Sequence, residues 1–233
     1  MDGTLLNVLA LVPALVFAIV FHEIAHGWTA LALGDPTAQE RRRLSLNPLR
    51  HVDPFGTLIL PGLLALAGAP VFGWAKPVPV NFQRLRNPRF GMMAVAAAGP
   101  LTNLVMATLG ALAIGLLVRG GAPADVSVGG FCLLALTYFV MINVFVAFFN
   151  LLPIPPFDGS HIVEGLLPPS LAQAYGKLRG VGMALFFVLI ALSWYGPTSG
   201  ILGHVIGPPI EWMLGKVASV VDWVAGWHYT LAD

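Results

Sequence analysis

Residues 4–33 read TLLNVLALVPALVFAIVFHEIAHGWTALAL, an apolar run whose only ionisable side chains are His22, Glu23 and His26. About 20 apolar residues suffice to cross a bilayer, so this stretch reads as a spanning helix. On a helix, positions i and i+4 share a face, so both imidazoles of His22-Glu23-Ile24-Ala25-His26 can reach one ion. Glu23, one step round from His22, is placed to take a proton from a water that the ion activates. An ionisable group at bilayer depth costs about 2.5–3.5 kcal/mol on insertion scales, which marks these side chains as functional. The pattern implies metal-assisted hydrolysis within a membrane.

The rest of the chain agrees. It is 57% hydrophobic and 10% charged, where roughly 25% charged is ordinary for a globular domain. Its 233 residues suit one membrane bundle. A net charge of +1, with no basic-aromatic stripe, offers nothing for nucleic acid. Cys132 is the single cysteine, which excludes an internal disulfide and a cysteine-based zinc site. The N-terminus carries Asp2 instead of a basic leader and reads as part of the first span.

Charge orients the chain. Eight of its twelve Lys and Arg fall between Arg41 and Arg89, placing that region in the cytoplasm and the N-terminus outside. Phe55 to Phe72 lies inside the basic region, broken by Pro61, Gly62 and Pro70, and reads as a short broken or re-entrant segment. Gly91 to Val118 crosses outward, Arg119 to Ser127 turns, Val128 to Phe149 returns, and Val181 to Tyr195 crosses again. Gly207-Pro208-Pro209 breaks the last stretch, where Trp212, Trp223 and Trp227 suit an interfacial helix or a loosely packed tail. The expected fold is an all-α polytopic membrane protein of about four to six membrane segments with a three-span catalytic core. Residues 1–195 form the enzyme domain, with its core at about 4–165, and residues 196–233 form a membrane-associated or interfacial segment.

Two histidines leave a catalytic zinc site one protein ligand short. Asp158 is at suitable depth, following the helix-breaking Pro153, Pro155 and Pro156 and preceding Gly159. The alternatives are an interfacial turn aspartate at 158 and Glu164 as a fallback ligand. His51 and Asp53, in a Pro/Arg-rich loop, read as a structural turn and, less readily, as a second metal site. His161 reads as a neighbour of the site or a headgroup contact, and His204 and His228 as interfacial. Arg41-Arg42-Arg43 reads first as an orientation signal and second as a lipid or partner contact.

The pentad, Gly99-Pro100-Leu101-Thr102-Asn103 and the segment from Asn150 to Gly159 resemble the site-2 proteases, intramembrane zinc metalloproteases whose three core spans carry such motifs in this order. Leu46 to Pro54 and Gly73 to Asn81 are similar to the compact bacterial and archaeal branch, without the PDZ or CBS domain of other branches. The likeness spans roughly residues 15–165. It implies one catalytic Zn2+ held by His22, His26 and Asp158, with Glu23 as general base. It also directs attention to Asn150, as an oxyanion donor or a helix cap, and to Asn103, as a brace across the bundle. Implied substrates are single-span membrane proteins or signal-peptide remnants. The setting is a multi-pass protein of the plasma membrane with its site opening to the cytoplasm; oligomeric state is open.

Hydrolysis would require the substrate helix to unwind, and a strand-like edge from Phe55 to Val80 is a candidate partner for it. Rival readings are a surface metallopeptidase, a zinc transporter and a non-catalytic scaffold. The first needs a soluble domain. The second needs acids or histidines staggered through several spans. The third has no use for Glu23.

Overall fold

The computed structural model describes residues 3–66, 75–121, 127–195 and 200–226. In chain order the helices are α1 (Gly3–Ala32), α2 (Thr37–Glu40), α3 (Leu60–Leu66), α4 (Pro88–Arg119), α5 (Val128–Asn150), α6 (Asp158–Leu166), α7 (Pro169–Gly176), α8 (Gly182–Tyr195) and α9 (Ile201–Ala225). Among the described residues there is no strand. Among the described residues three helices are long and apolar enough to cross a membrane: Thr4–Ala32, Pro88–Arg119 and Val128–Asn150. A fourth follows if Pro169–Gly180 and Gly182–Leu192, bent by 71°, make one broken span. The protein is thus an all-α polytopic membrane protein.

Local chemistry starts and stops these helices. The Asn87 side chain accepts from Phe90 N–H and Pro88 occupies the first turn of α4, while the Ser127 hydroxyl accepts from Gly130 N–H at the start of α5. Packing follows a membrane rule: small residues inside, large apolar ones outside. On α1 one buried row recurs every four positions, at Ala10, Ala14, Ala18, His22, His26 and Ala30, with Val20 and Ile24 buried beside it. On α4 the same step gives Gly91, Val95, Gly99, Asn103, Ala107, Ala111 and Gly115. Leu5, Leu9, Val12, Leu101, Val105 and Leu109 face outward. These i+4 ridges let α1, α4 and α5 pack on one another closely, because little side chain separates their backbones.

The C-terminal region departs from the expected pattern. α9 runs unbroken through Pro208 and Pro209. Its Val217 and Val221 are buried in one cluster with Ala107, Ala111 and Ile114 of α4 and Leu133, Val140 and Val144 of α5. The two prolines remove backbone donors, but burial against two spanning helices holds the helix through them. Trp212 and Trp223 are exposed, and Trp227 and His228 lie outside the described residues. His204 donates from Nδ1 to Gly200 O at 2.9 Å.

The segment from Phe55 is helical where described: π-helical over Pro54–Ile59, then α3. Residues 67–72, including Pro70 and Phe72, lie outside the described residues, as do Gly73 and Trp74 of the next motif. Residues 75–81 are neither helix nor strand, and among the described residues of the candidate edge for substrate pairing they are the non-helical piece that remains beyond α3. Its far end is fixed to the end of α1 by fully buried Asp35, whose carboxylate accepts from Asn81 N–H at 2.6 Å and from the Thr37 backbone N–H at 3.0 Å and hydroxyl. Burial pushes the Asp35 carboxyl up, but these hydrogen bonds and the charge of Arg84 together hold it below the usual range.

Candidate active site

His22 and His26 lie in the small-residue stripe of α1, buried against α4. Gly99 makes the approach possible. A Cβ there would stand 2.6 Å from His22 Cε1 and 2.6 Å from His26 Nε2. The third group arrives from α6, whose first residue is Asp158. The turn before it is tight: a Cβ on Gly159 would lie 2.2 Å from the carbonyl oxygen of Leu151. Phe149, Phe157 and Phe186 stack edge-on beneath that turn, with Phe157 packed 4.7 Å from Phe149 and 5.1 Å from Phe186, centroid to centroid. These contacts aim Asp158 at the histidines.

His22 Nε2 stands 3.0 Å from His26 Nε2, and Asp158 Oδ2 lies 3.1 Å from the first and 3.3 Å from the second. Hydrogen bonding on the far side of each ring decides where its proton sits. His26 Nδ1 is 2.7 Å from Val95 O, an acceptor only, so Nδ1 carries the hydrogen. His22 Nδ1 donates to Asn103 Oδ1 at 2.6 Å. Both Nε2 atoms therefore present lone pairs to one another and to a carboxylate oxygen that is buried without a hydrogen-bond partner. Three acceptors so close repel unless a cation lies among them. Nitrogen and oxygen ligands about 2.0–2.2 Å from a tetrahedral zinc are about 3.3 Å apart, close to the separations here. The residues present fit such an ion. Among the described residues no other set of three His, Cys, Asp or Glu gathers in this way.

A cavity of about 320 Å³ opens at this point, lined by the three candidate ligands, Glu23, Asn150, His161 and the loop residues Pro77, Val78 and Val80. Glu23 Oε2 accepts from Val78 N–H at 2.6 Å. That loop is in turn tied down by Arg43, whose guanidinium donates to Arg50 O and, at 2.6 Å, to Lys76 O. Asn150 is the last residue of α5; its Nδ2 donates to Val146 O at 3.0 Å, which leaves a second amide hydrogen beside the cavity.

Other candidates have other work. Glu164 is ion-paired with Arg179, which also donates to His161 Nδ1 at 3.2 Å. Burial, and then the charge of Arg179, pull His161 below its usual pKa. His51 donates from Nε2 to Ser45 O at 2.8 Å, and Asp53 accepts from Phe55 N–H and Gly56 N–H at the start of the π-helical turn. Both are parts of a folded loop. Arg41, Arg42 and Arg43 line a second cavity with Arg50 and Lys76. Two contributions escaped the sequence reading. The Val78 amide is backbone and carries no side-chain signal. Asn143 sits alone in an apolar run, seven residues before Asn150, and a lone amide at bilayer depth was the available sign.

Two imidazoles and a carboxylate around one point, a second carboxylate beside them and a cavity at their mouth define a metallohydrolase site in a membrane bundle. The profile of Peptidase family M50 matches residues 124–192, which include Asn150 and Asp158 and leave the α1 pentad outside. Across 193 residues, 81% of this chain and 85% of the relative, the chain is 36% identical to the "Putative zinc metalloprotease YwhC" of Bacillus subtilis. It is 29% identical over 201 residues to the "Putative zinc metalloprotease Rip2" of Mycolicibacterium smegmatis, covering 81% of this chain and 73% of that one. The Mycobacterium tuberculosis protein of the same name is 32% identical over 174 residues, 74% of this chain and 62% of its own. No solved structure matches the chain. The chain belongs to Peptidase family M50, the site-2 proteases, and is a multi-pass membrane zinc metalloprotease.

Proposed function

We propose that the protein is an intramembrane endopeptidase that cuts the transmembrane segments of single-span proteins or signal-peptide remnants at one zinc ion held by His22, His26 and Asp158. The observation that carries this reading is the depth of the site. His22 and His26 occupy the buried face of a 29-residue apolar helix, ten and six residues before its end at Ala32, or about 9–15 Å at 1.5 Å per residue. A peptide bond reaching that depth belongs to a segment that is itself in the membrane. The basic residues between Arg41 and Arg89 support a cytoplasmic opening and an external N-terminus in the plasma membrane. Residues 1–195 make up the protease, and 196–233 a C-terminal segment packed on it through α9.

Bound zinc supplies the Lewis acidity that brings a water's pKa towards neutrality and polarises a carbonyl. Glu23 does the proton work. With Oε2 engaged by Val78 N–H, Oε1 takes a proton from the water as its oxygen attacks the scissile carbon. The same carboxyl then hands the proton to the amine as the C–N bond breaks. Asn150 directs its second amide hydrogen at the carbonyl oxygen, where negative charge develops. His22 and His26 would turn their Nε2 lone pairs to the ion because their Nδ1 protons are committed to Asn103 and Val95.

The test is cleavage of a single-span substrate by purified protein in detergent, comparing wild type with Glu23→Gln at equal measured zinc. Wild type should cut within the span and lose activity to a chelator, and Glu23→Gln should be about 10²–10⁴-fold slower. Equal zinc in both proteins, with no cleavage across a panel of spans, would reject the reading in favour of a zinc-binding scaffold.

A further inference from the structure

We propose that Asn143 is a positioning residue of the metal centre, acting through Asn103 to set the tautomer and direction of His22 and, by fixing the register of α5, the placement of Asn150. The inference rests on the zinc reading above. Asn103 and Asn143 are both completely buried, on two different spanning helices, amid apolar side chains. Every polar atom of the pair has its partner. Asn143 Nδ2 donates to Phe139 O at 2.8 Å, an acceptor only, which turns Asn143 Oδ1 towards Asn103. Asn103 Nδ2 donates to that oxygen at 2.8 Å and to Ala18 O at 3.1 Å. Both its hydrogens are then spent on oxygens, so Asn103 Oδ1 must be the atom facing His22 Nδ1.

Directionality distinguishes this arrangement from simple glue between helices. The run of donors can be satisfied in one sense only, from His22 to Asn103, from Asn103 to Asn143, and from Asn143 to the α5 backbone. Were Asn103 reversed, its NH2 would face the ring, His22 would present its lone pair there, and the proton would move to Nε2, where the ion belongs. Asn143 opposes that reversal, together with the Ala18 carbonyl, by offering the shorter-held of two acceptors on the other side. Two leucines would hold α4 against α5 without any buried polar group to satisfy. They would leave His22 Nδ1 without a partner. Because Asn143 and Asn150 are seven residues apart, two turns of one helix, the contact that orients His22 also brings Asn150 to the cavity.

The experiment measures zinc affinity by chelator competition, and the visible absorption of the Co2+-substituted protein, on the full chain in detergent. Variants are Asn103→Leu, Asn143→Leu, their double, Asn143→Asp, and His22→Ala as the control. Loss of a partner behind a metal-bound imidazole weakens metal binding about 10- to 100-fold. Asn103→Leu should fall in that range, and Asn143→Leu near about tenfold with an altered Co2+ spectrum. In the Asn103→Leu background the Asn143→Leu change should cost no more than about twofold, since its route to His22 is gone. Asn143→Asp should restore affinity: as a neutral acid its hydroxyl donates to Phe139 O while its carbonyl accepts from Asn103. If the leucine variant does not accumulate, Asn143→Ala makes the same deletion. Wild-type affinity and spectrum for Asn143→Leu or Asn143→Ala, or fully additive losses in the double variant, overturn the proposal. Unchanged affinity in His22→Ala would overturn the zinc reading itself, a separate outcome.

Discussion

The two sides of the candidate catalytic cavity are built differently. On one side His22 and His26 belong to a helix, are braced by Gly99, Asn103 and the Val95 carbonyl of a second helix, and reach a third through Asn143. On the other side Glu23 shares that first helix, but its hydrogen-bond partner is the Val78 amide, in a loop segment tethered by Arg43 and Asp35. The candidate ligands are set by packed spans in the low-dielectric interior, where a satisfied polar network is stiff and an unsatisfied one costly. Glu23, the proposed base, is set by a loop. Metal binding should therefore survive changes that disturb the base, whereas changes to the helical side should reach both.

The largest effect expected is from Asp158→Ala. It removes the carboxylate that faces both Nε2 atoms, and two imidazoles alone make an incomplete zinc site. Zinc should be lost on desalting and proteolysis should fall to background, read by metal analysis beside the cleavage assay. Stoichiometric zinc after desalting would move the third ligand elsewhere. Next comes Gly99→Ala. Its added methyl would meet His22 Cε1 and His26 Nε2 at 2.6 Å, so the α1–α4 spacing or both imidazoles must shift. Overpacking of this kind costs about 1–3 kcal/mol. Zinc affinity should drop roughly ten- to a hundredfold if most of that strain falls on the ligands. An alanine variant with wild-type affinity would show that the helices part easily.

The helical side was also the more legible in the sequence. An i, i+4 pair of histidines carries its geometry in its spacing, because one face of a helix is fixed by 3.6 residues per turn. Asp158 was legible for a second reason: three prolines stop the helix, and the aspartate follows at membrane depth. The period-4 stripe of small residues was present in the letters of α1 and α4, yet a hydrophobicity reading passes over it, since Ala and Gly are inside and Leu outside. The Pro208-Pro209 pair suggested a broken, peripheral segment because local chemistry does not include the burial of Val217 and Val221 that holds α9 on the bundle. The loop side was largely illegible. Val78 acts through its amide, and Arg43 through a fold that brings residues 33 positions apart together. Neither interaction has a spacing to read.

The smallest effect tests the loop side alone. Arg43 half-closes over the segment that carries Val78, donating to Arg50 O, Lys76 O and, at 3.4 Å, Pro77 O. A planar guanidinium can reach several carbonyls in a fixed fork, which an ammonium cannot reproduce. Arg43→Gln should loosen Lys76 and Pro77, let the Val78 amide drift from Glu23 Oε2, and leave His22, His26 and Asp158 untouched. A loss near 1.4 kcal/mol in base positioning gives a roughly tenfold lower kcat. Zinc affinity should remain within about twofold, and Arg43→Lys should recover only part of the rate. If Arg43→Gln instead lowers zinc affinity as much as activity, the two sides are one mechanical unit and the division drawn between helix and loop does not hold. If neither changes, Val78 N–H is held by the rest of the segment, and Asp35 with Asn81 N–H becomes the anchor that matters.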